Sequence, residues 1–138
     1  MKWRNSFSGV LINSQFVLTT AHSKADHDIF KLRLGFHTLG DNSNLDVQTF
    51  DIRSENFVIH EDFVFTGNTP RNDIALIKLP RLAKFTQLSQ PSCWGTQSPL
   101  EDPLVLVGWG KTENFQGLTS ERVYSNSQHK LEVCSWNI

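Results

Sequence analysis

Phe30-Lys31-Leu32-Arg33-Leu34-Gly35-Phe36 carries an apolar residue at every second position, the period of a strand with one face buried and the other in water. The neighbouring segments read the same way. Phe7 to Asn13 and Phe16 to Thr20 are β-rich runs separated by the polar Asn13-Ser14-Gln15, which predicts a hairpin. Gln48-Thr49-Phe50-Asp51-Ile52 alternates, Phe57-Val58-Ile59 is a short strand, and Ile74-Ala75-Leu76-Ile77-Lys78-Leu79 stops at Pro80. Leu104 to Trp109 is apolar throughout, as in a strand covered on both faces. Between these runs lie turn-rich segments, Gly40-Asp41-Asn42-Ser43-Asn44 and Thr66-Gly67-Asn68-Thr69-Pro70-Arg71-Asn72 among them. No stretch holds a helical period, and short strands with frequent turns predict an all-β sandwich or closed barrel, either of which removes exposed sheet edges. From Arg81 to Asp102 the chain turns rich in Gln, Ser and Pro, as a connection between two subdomains would.

Composition excludes several classes of function. The chain has 138 residues with 13 Lys and Arg against 14 Asp and Glu, spread over both halves, so no polybasic arm exists to drive nucleic-acid or anionic-membrane binding. No apolar run approaches the roughly 20 residues that span a bilayer. The amino end, Met1-Lys2-Trp3-Arg4-Asn5-Ser6, lacks the apolar core of a secretory signal. Cys93 and Cys134 are the only cysteines; they make no disulfide framework and no zinc-type spacing.

Two residues stand out chemically. His22 follows directly on the run Phe16 to Ala21, where a sheet can fix it as a general base, although a hydrogen-bonded histidine at a strand end fits the same position. Asp73 opens the apolar run Ile74 to Leu79, either as a polar strand cap or as a carboxylate with a partner. A base histidine needs a carboxylate on its other ring nitrogen, to hold the tautomer and stabilise the imidazolium, and Asp73 can supply it. His22, Asp26, His27 and Asp28 lie close in sequence but lack helical metal-ligand spacing, so a polar loop is expected and no metal. Trp3, Trp94, Trp109 and Trp136 are scattered and read as packing residues, without a platform for sugars or nucleic acid.

Three segments, in order, carry a family resemblance: Ser8-Gly9-Val10-Leu11-Ile12-Asn13 running into Thr20-Ala21-His22, then Asn72-Asp73-Ile74-Ala75-Leu76-Ile77-Lys78-Leu79, then Val107-Gly108-Trp109-Gly110. Each is weak alone. Together they resemble the trypsin-like, chymotrypsin-fold serine peptidases over nearly the whole chain, with softer matches at Arg33-Leu34-Gly35 and Ile59-His60-Glu61-Asp62-Phe63. The resemblance implies an all-β Greek-key barrel of the chymotrypsin-like type, nearly complete in residues 1–80, a connection over 81–102, and the first strands of a second barrel over 103–138. It also implies His22 as catalytic base, Asp73 as its orienting acid, protein or peptide substrates, an extracellular setting and no cofactor.

Departures from the family pattern set further expectations. The Gly-Asp-Ser-Gly-Gly segment that carries the family's nucleophile does not occur, and Ser135 in Cys134-Ser135-Trp136 lacks the flanking glycines of an oxyanion hole. The chain alone is therefore expected to be inactive, as the amino-terminal portion of an endopeptidase's peptidase domain, a non-catalytic homologue that binds a protein, or a decayed fragment. The family disulfide beside the histidine would join the positions of Phe7 and Ser23, and both cysteines are gone together. Cys93 and Cys134 resemble family cysteines with other partners, so they are not expected to bond to each other. Phe36 stands where some members carry a calcium-binding glutamate, and no calcium site is expected.

Overall fold

Asn13 turns the chain at the first hairpin, its Oδ1 accepting the backbone N–H of Gln15 at 2.8 Å and of Phe16 at 2.9 Å. A side-chain oxygen that satisfies two backbone donors within the turn is the reason Asn is favoured there. The computed structural model describes residues 7–24, 29–38, 46–67 and 69–92, with the backbone alone of 107–108 and 124–125. Its strands are β1 (Val10–Leu11), β2 (Phe16–Thr19), β3 (Ile29–Leu34), β4 (Gln48–Arg53), β5 (Phe57–Ile59), β6 (Val64–Thr66), β7 (Thr69–Arg71), β8 (Ala75–Lys78), β9 (Val107–Gly108) and β10 (Tyr124–Ser125). Among the described residues there is no α-helix, only two 3-10 turns at Ala21–Lys24 and Ser54–Asn56. The first hairpin forms as expected, with β1 confined to two residues of the longer predicted run.

Four strands make one antiparallel sheet in the order β1, β2, β8, β5. Its register aligns Leu11, Val17, Ile77 and Phe57 in a row across all four strands, and each of them is buried. The next row, Val10, Leu18, Leu76 and Val58, faces the other way because side chains alternate along a strand, and its outer members Val10 and Val58 are about half exposed. Strands β3 and β4 pair separately and bring Phe30 opposite Ile52 and Leu32 opposite Phe50. Phe30, Phe50 and Ile52 join the inner row of the four-stranded sheet in one core, while Lys31 and Asp51 form an ion pair on the outer face. Alternation in Phe30 to Leu34 thus marks an inner and an outer face, as the period predicts.

Phe7 contributes to the same core. Its ring meets Phe30 edge-on at 5.3 Å and Phe57 at 6.3 Å, and those two rings lie 5.4 Å apart. After β8 the chain runs back along both pairs of strands. Leu79 N–H donates to Gln15 O, Ala83 N–H to Ser14 O and Ser92 N–H to Leu11 O, while the Gln48 amide both donates to Lys84 O and accepts the Lys84 N–H. Arg81 lays its guanidinium 4.2 Å over the Phe50 ring and donates to Thr49 O. Residues 79–92 are therefore fastened to the first set of strands.

One element departs from expectation. Residues 66–72, read as a turn-rich segment, hold half of a hairpin in which Val64 pairs with Arg71, Phe65 with Pro70 and Thr66 with Thr69. Gly67, at φ +61°, supplies the left-handed residue of its turn. Both strands are largely exposed, so no buried face imposed an apolar period on them. Strand β9 pairs with β10, joining Val107 to Ser125 and Gly108 to Tyr124. The rest of Leu104 to Trp109, the turn at 40–44, both cysteines and all four tryptophans lie outside the described residues.

Candidate active site

The pairing of β2 with β8 places Thr19 opposite Ala75, so the three residues after Thr19 and the two before Ala75 emerge at the same end of the sheet. His22 and Asp73 occupy those positions. Ala21 is buried and anchors the 3-10 turn to the core, and the Thr20 and Ser23 hydroxyls, 2.6 Å apart, close the turn around the histidine. The result is a side chain projected outward from a fixed base.

Asp73 holds His22 with both of its oxygens. Oδ1 accepts the His22 backbone N–H at 2.8 Å, and Oδ2 lies 2.6 Å from the ring Nδ1. The structure thus brings together two residues 51 positions apart. An ionised carboxylate only accepts, so Nδ1 carries a proton, and in the neutral ring Nε2 keeps its lone pair. The Asp73 side chain is 18% exposed and that of His22 51%, so the shared bond lies on the protein side while the ring stays open to solvent.

Opposing influences act on the Asp73 carboxyl. Desolvation pushes its pKa up, but the bond from the His22 backbone, the bond and charge of the His22 ring, and the Ala21 N–H together outweigh it and hold the group below its ordinary value. A lowered carboxyl pKa adds stability that is fully present above the ordinary value of 3.8 and is lost as the pH falls through the lowered one. Denaturation midpoints of the chain and of Asp73→Asn, measured downward from about pH 6, are therefore expected to converge in acid. A constant gap through the acid range would mean that the folded-state bonds to the carboxylate contribute nothing.

Among the described residues no three His, Cys, Asp or Glu side chains gather as a metal site, and Asp26, His27 and Asp28 lie outside them, as does Ser135. No described helix is long and apolar enough to cross a membrane. Sequence reasoning singled out both members of the pair but missed Asn72, whose backbone takes the left-handed conformation at φ 51° immediately before Asp73. The one available signal was residue type, since Asn is among the few residues that enter that region readily.

Residues 2–135 match the family model for Trypsin. The chain belongs to the trypsin family. This trypsin-family chain is 30% identical to the Spaetzle-processing enzyme of Drosophila melanogaster, over 94% of its own length and 36% of the enzyme's. It is 30% identical to phenoloxidase-activating factor 1 of Holotrichia diomphalia, covering 91% of this chain and 37% of that one, and 29% identical to chymotrypsin-C of Bos taurus, covering 79% and 40%. The solved structure of GrC superposes with a TM-score of 0.68 at 26% identity, covering 85% of this chain and 49% of that one. The chain thus spans a little over a third of the length of these curated relatives and about half of the solved chain. Its all-β architecture is that of the chymotrypsin-like serine proteases, and the separate sheets fit one barrel nearly complete and a second begun.

Proposed function

We propose that the chain is the amino-terminal portion of the peptidase domain of a serine endopeptidase in which His22 is the general base and Asp73 its orienting acid. The observation that carries this reading is the two-point grip of Asp73 on His22, through backbone and ring at once. A binding module has no use for an imidazole held in one tautomer with its second nitrogen open. In the peptidase, Nε2 takes the proton of a serine hydroxyl as the oxygen attacks the scissile carbonyl, and the imidazolium is stabilised by Asp73. The proton then passes to the leaving amine, and water repeats the sequence on the acyl-enzyme. Nucleophile and oxyanion hole come, in this reading, from sequence beyond Ile138. Residues 1–80 form the first barrel in this reading, 81–102 the connection and 103–138 the start of the second.

Substrates are proteins in an extracellular setting. That proposal is supported by the relatives, whose names describe processing of Spaetzle and activation of phenoloxidase. The decisive experiment reads the transcript past the codon for Ile138. An in-frame Gly-Asp-Ser-Gly-Gly segment is expected, and a stop codon directly after Ile138 would overturn the endopeptidase reading in favour of a binding homologue or a decayed fragment.

A further inference from the structure

We propose that Asn72 is a positioning residue, and that the turn at His60 to Phe63 acts through it to fix the Asp73 carboxylate on His22. This inference rests on the reading of His22 and Asp73 as base and orienting acid, and it adds the device that aims the acid.

Asp73 sits between two neighbours that are tied to the same short turn. On its amino side, the Asn72 side-chain Nδ2–H donates to Asp62 O at 2.9 Å. On its carboxyl side, Ile74 O accepts the His60 N–H at 3.2 Å. The turn between these two anchors is closed internally, since Phe63 N–H donates to His60 O at 3.0 Å and Asp62 N–H to the His60 ring Nδ1 at 3.1 Å. A further bond runs across Asp73 itself, from Ile74 N–H to Asn72 O at 2.8 Å. The turn begins where the β5–β8 ladder ends, at Ile59 opposite Ala75, so it is itself held by the sheet.

Backbone conformation points to the same residue. Asn72 is the one non-glycine with positive φ among the described residues. Asn enters that region more readily than most side-chain-bearing residues, so residue type and backbone conformation agree at this position. Here the conformation redirects the chain between the end of β7 at Arg71 and the start of β8 at Ala75, within three residues. The carboxylate must meet a backbone N–H and a ring nitrogen together, a geometry that tolerates only about 0.5 Å and 10–20° of error. Asn72 itself bonds to Asp62, and its part in the reaction is to restrict where Asp73 stands.

The test uses the full chain with nitrogen-labelled histidine and carbon-labelled aspartate. The His22 Nδ1 proton, identified by its loss in Asp73→Asn, reports the short bond, and the Asp73 carboxyl carbon reports its titration. Asn72→Gly keeps the left-handed backbone and removes the amide; Asn72→Ala removes both. Exchange of the His22 Nδ1 proton with water is expected to quicken about 5–10-fold in Asn72→Gly, the loss of roughly one hydrogen bond, and further in Asn72→Ala. The Asp73 midpoint rises toward its ordinary value in both. Glycine relieves backbone strain, so Asn72→Gly holds its global stability while the pair loosens, a split that a purely structural role does not produce. If Asn72→Ala fails to fold, Asn72→Gly alone decides. Unchanged exchange and an unchanged Asp73 midpoint in Asn72→Gly would overturn the proposal and leave the pair intact. A folded parent chain with no protected His22 Nδ1 proton would overturn the pair, and the positioning role with it.

Discussion

On the endopeptidase reading, Asp73→Asn is expected to lower kcat for peptide hydrolysis by about 10⁴-fold in the complete enzyme, with KM little changed. An amide presents oxygen and nitrogen where the carboxylate presents two acceptors. Its oxygen can still accept the His22 backbone N–H that Oδ1 now receives, so the fold around the pair persists. Its NH₂ then faces Nδ1, which turns from donor to acceptor, and the ring proton moves to Nε2. A ring protonated at Nε2 cannot take the serine proton, and no carboxylate stabilises the imidazolium. Steady-state kinetics on a peptide amide checks this, and a loss under about tenfold would show that Asp73 does not orient the base.

Phe50→Ala is expected to cost about 3–5 kcal/mol of folding stability, a large part of the roughly 5–15 kcal/mol that holds a domain together. Phe50 is 2% exposed, lies opposite Leu32 in the β3–β4 pair and carries the Arg81 guanidinium over its ring. Truncation opens a cavity in the core and removes the surface that seats the returning chain at residue 81. Urea denaturation of the parent and the variant measures the difference. A change below about 1 kcal/mol would mean that the β3–β4 pair does not share the core of the four-stranded sheet.

Legibility of this fold in the sequence follows burial. Strands β3 and β4 were readable because each has one face in the core and one in water, so Phe30, Phe50 and Ile52 recur at the strand period. The β6–β7 hairpin was not, because most of its side chains meet water and Pro70 argues against a strand; its only marker was Gly67-Asn68 between the two arms. At the site, His22 and Asp73 stood out by motif, but their contact depends on the β2–β8 register between distant segments. Local periodicity carries no information on that pairing. Asn72 escaped notice because its role depends on a backbone angle and on a bond to Asp62, ten residues back.

The family resemblance implies a disulfide beside the histidine at the positions that Phe7 and Ser23 hold here, and the contacts of these two side chains show what supports the turn instead. Phe7 packs between Phe30 and Phe57, and Ser23 pairs with the Thr20 hydroxyl. Support of this kind has no sulfur to lose. Phe7 and Ser23 cannot form a disulfide, so a thiol reductant has no bond to cut between those two positions.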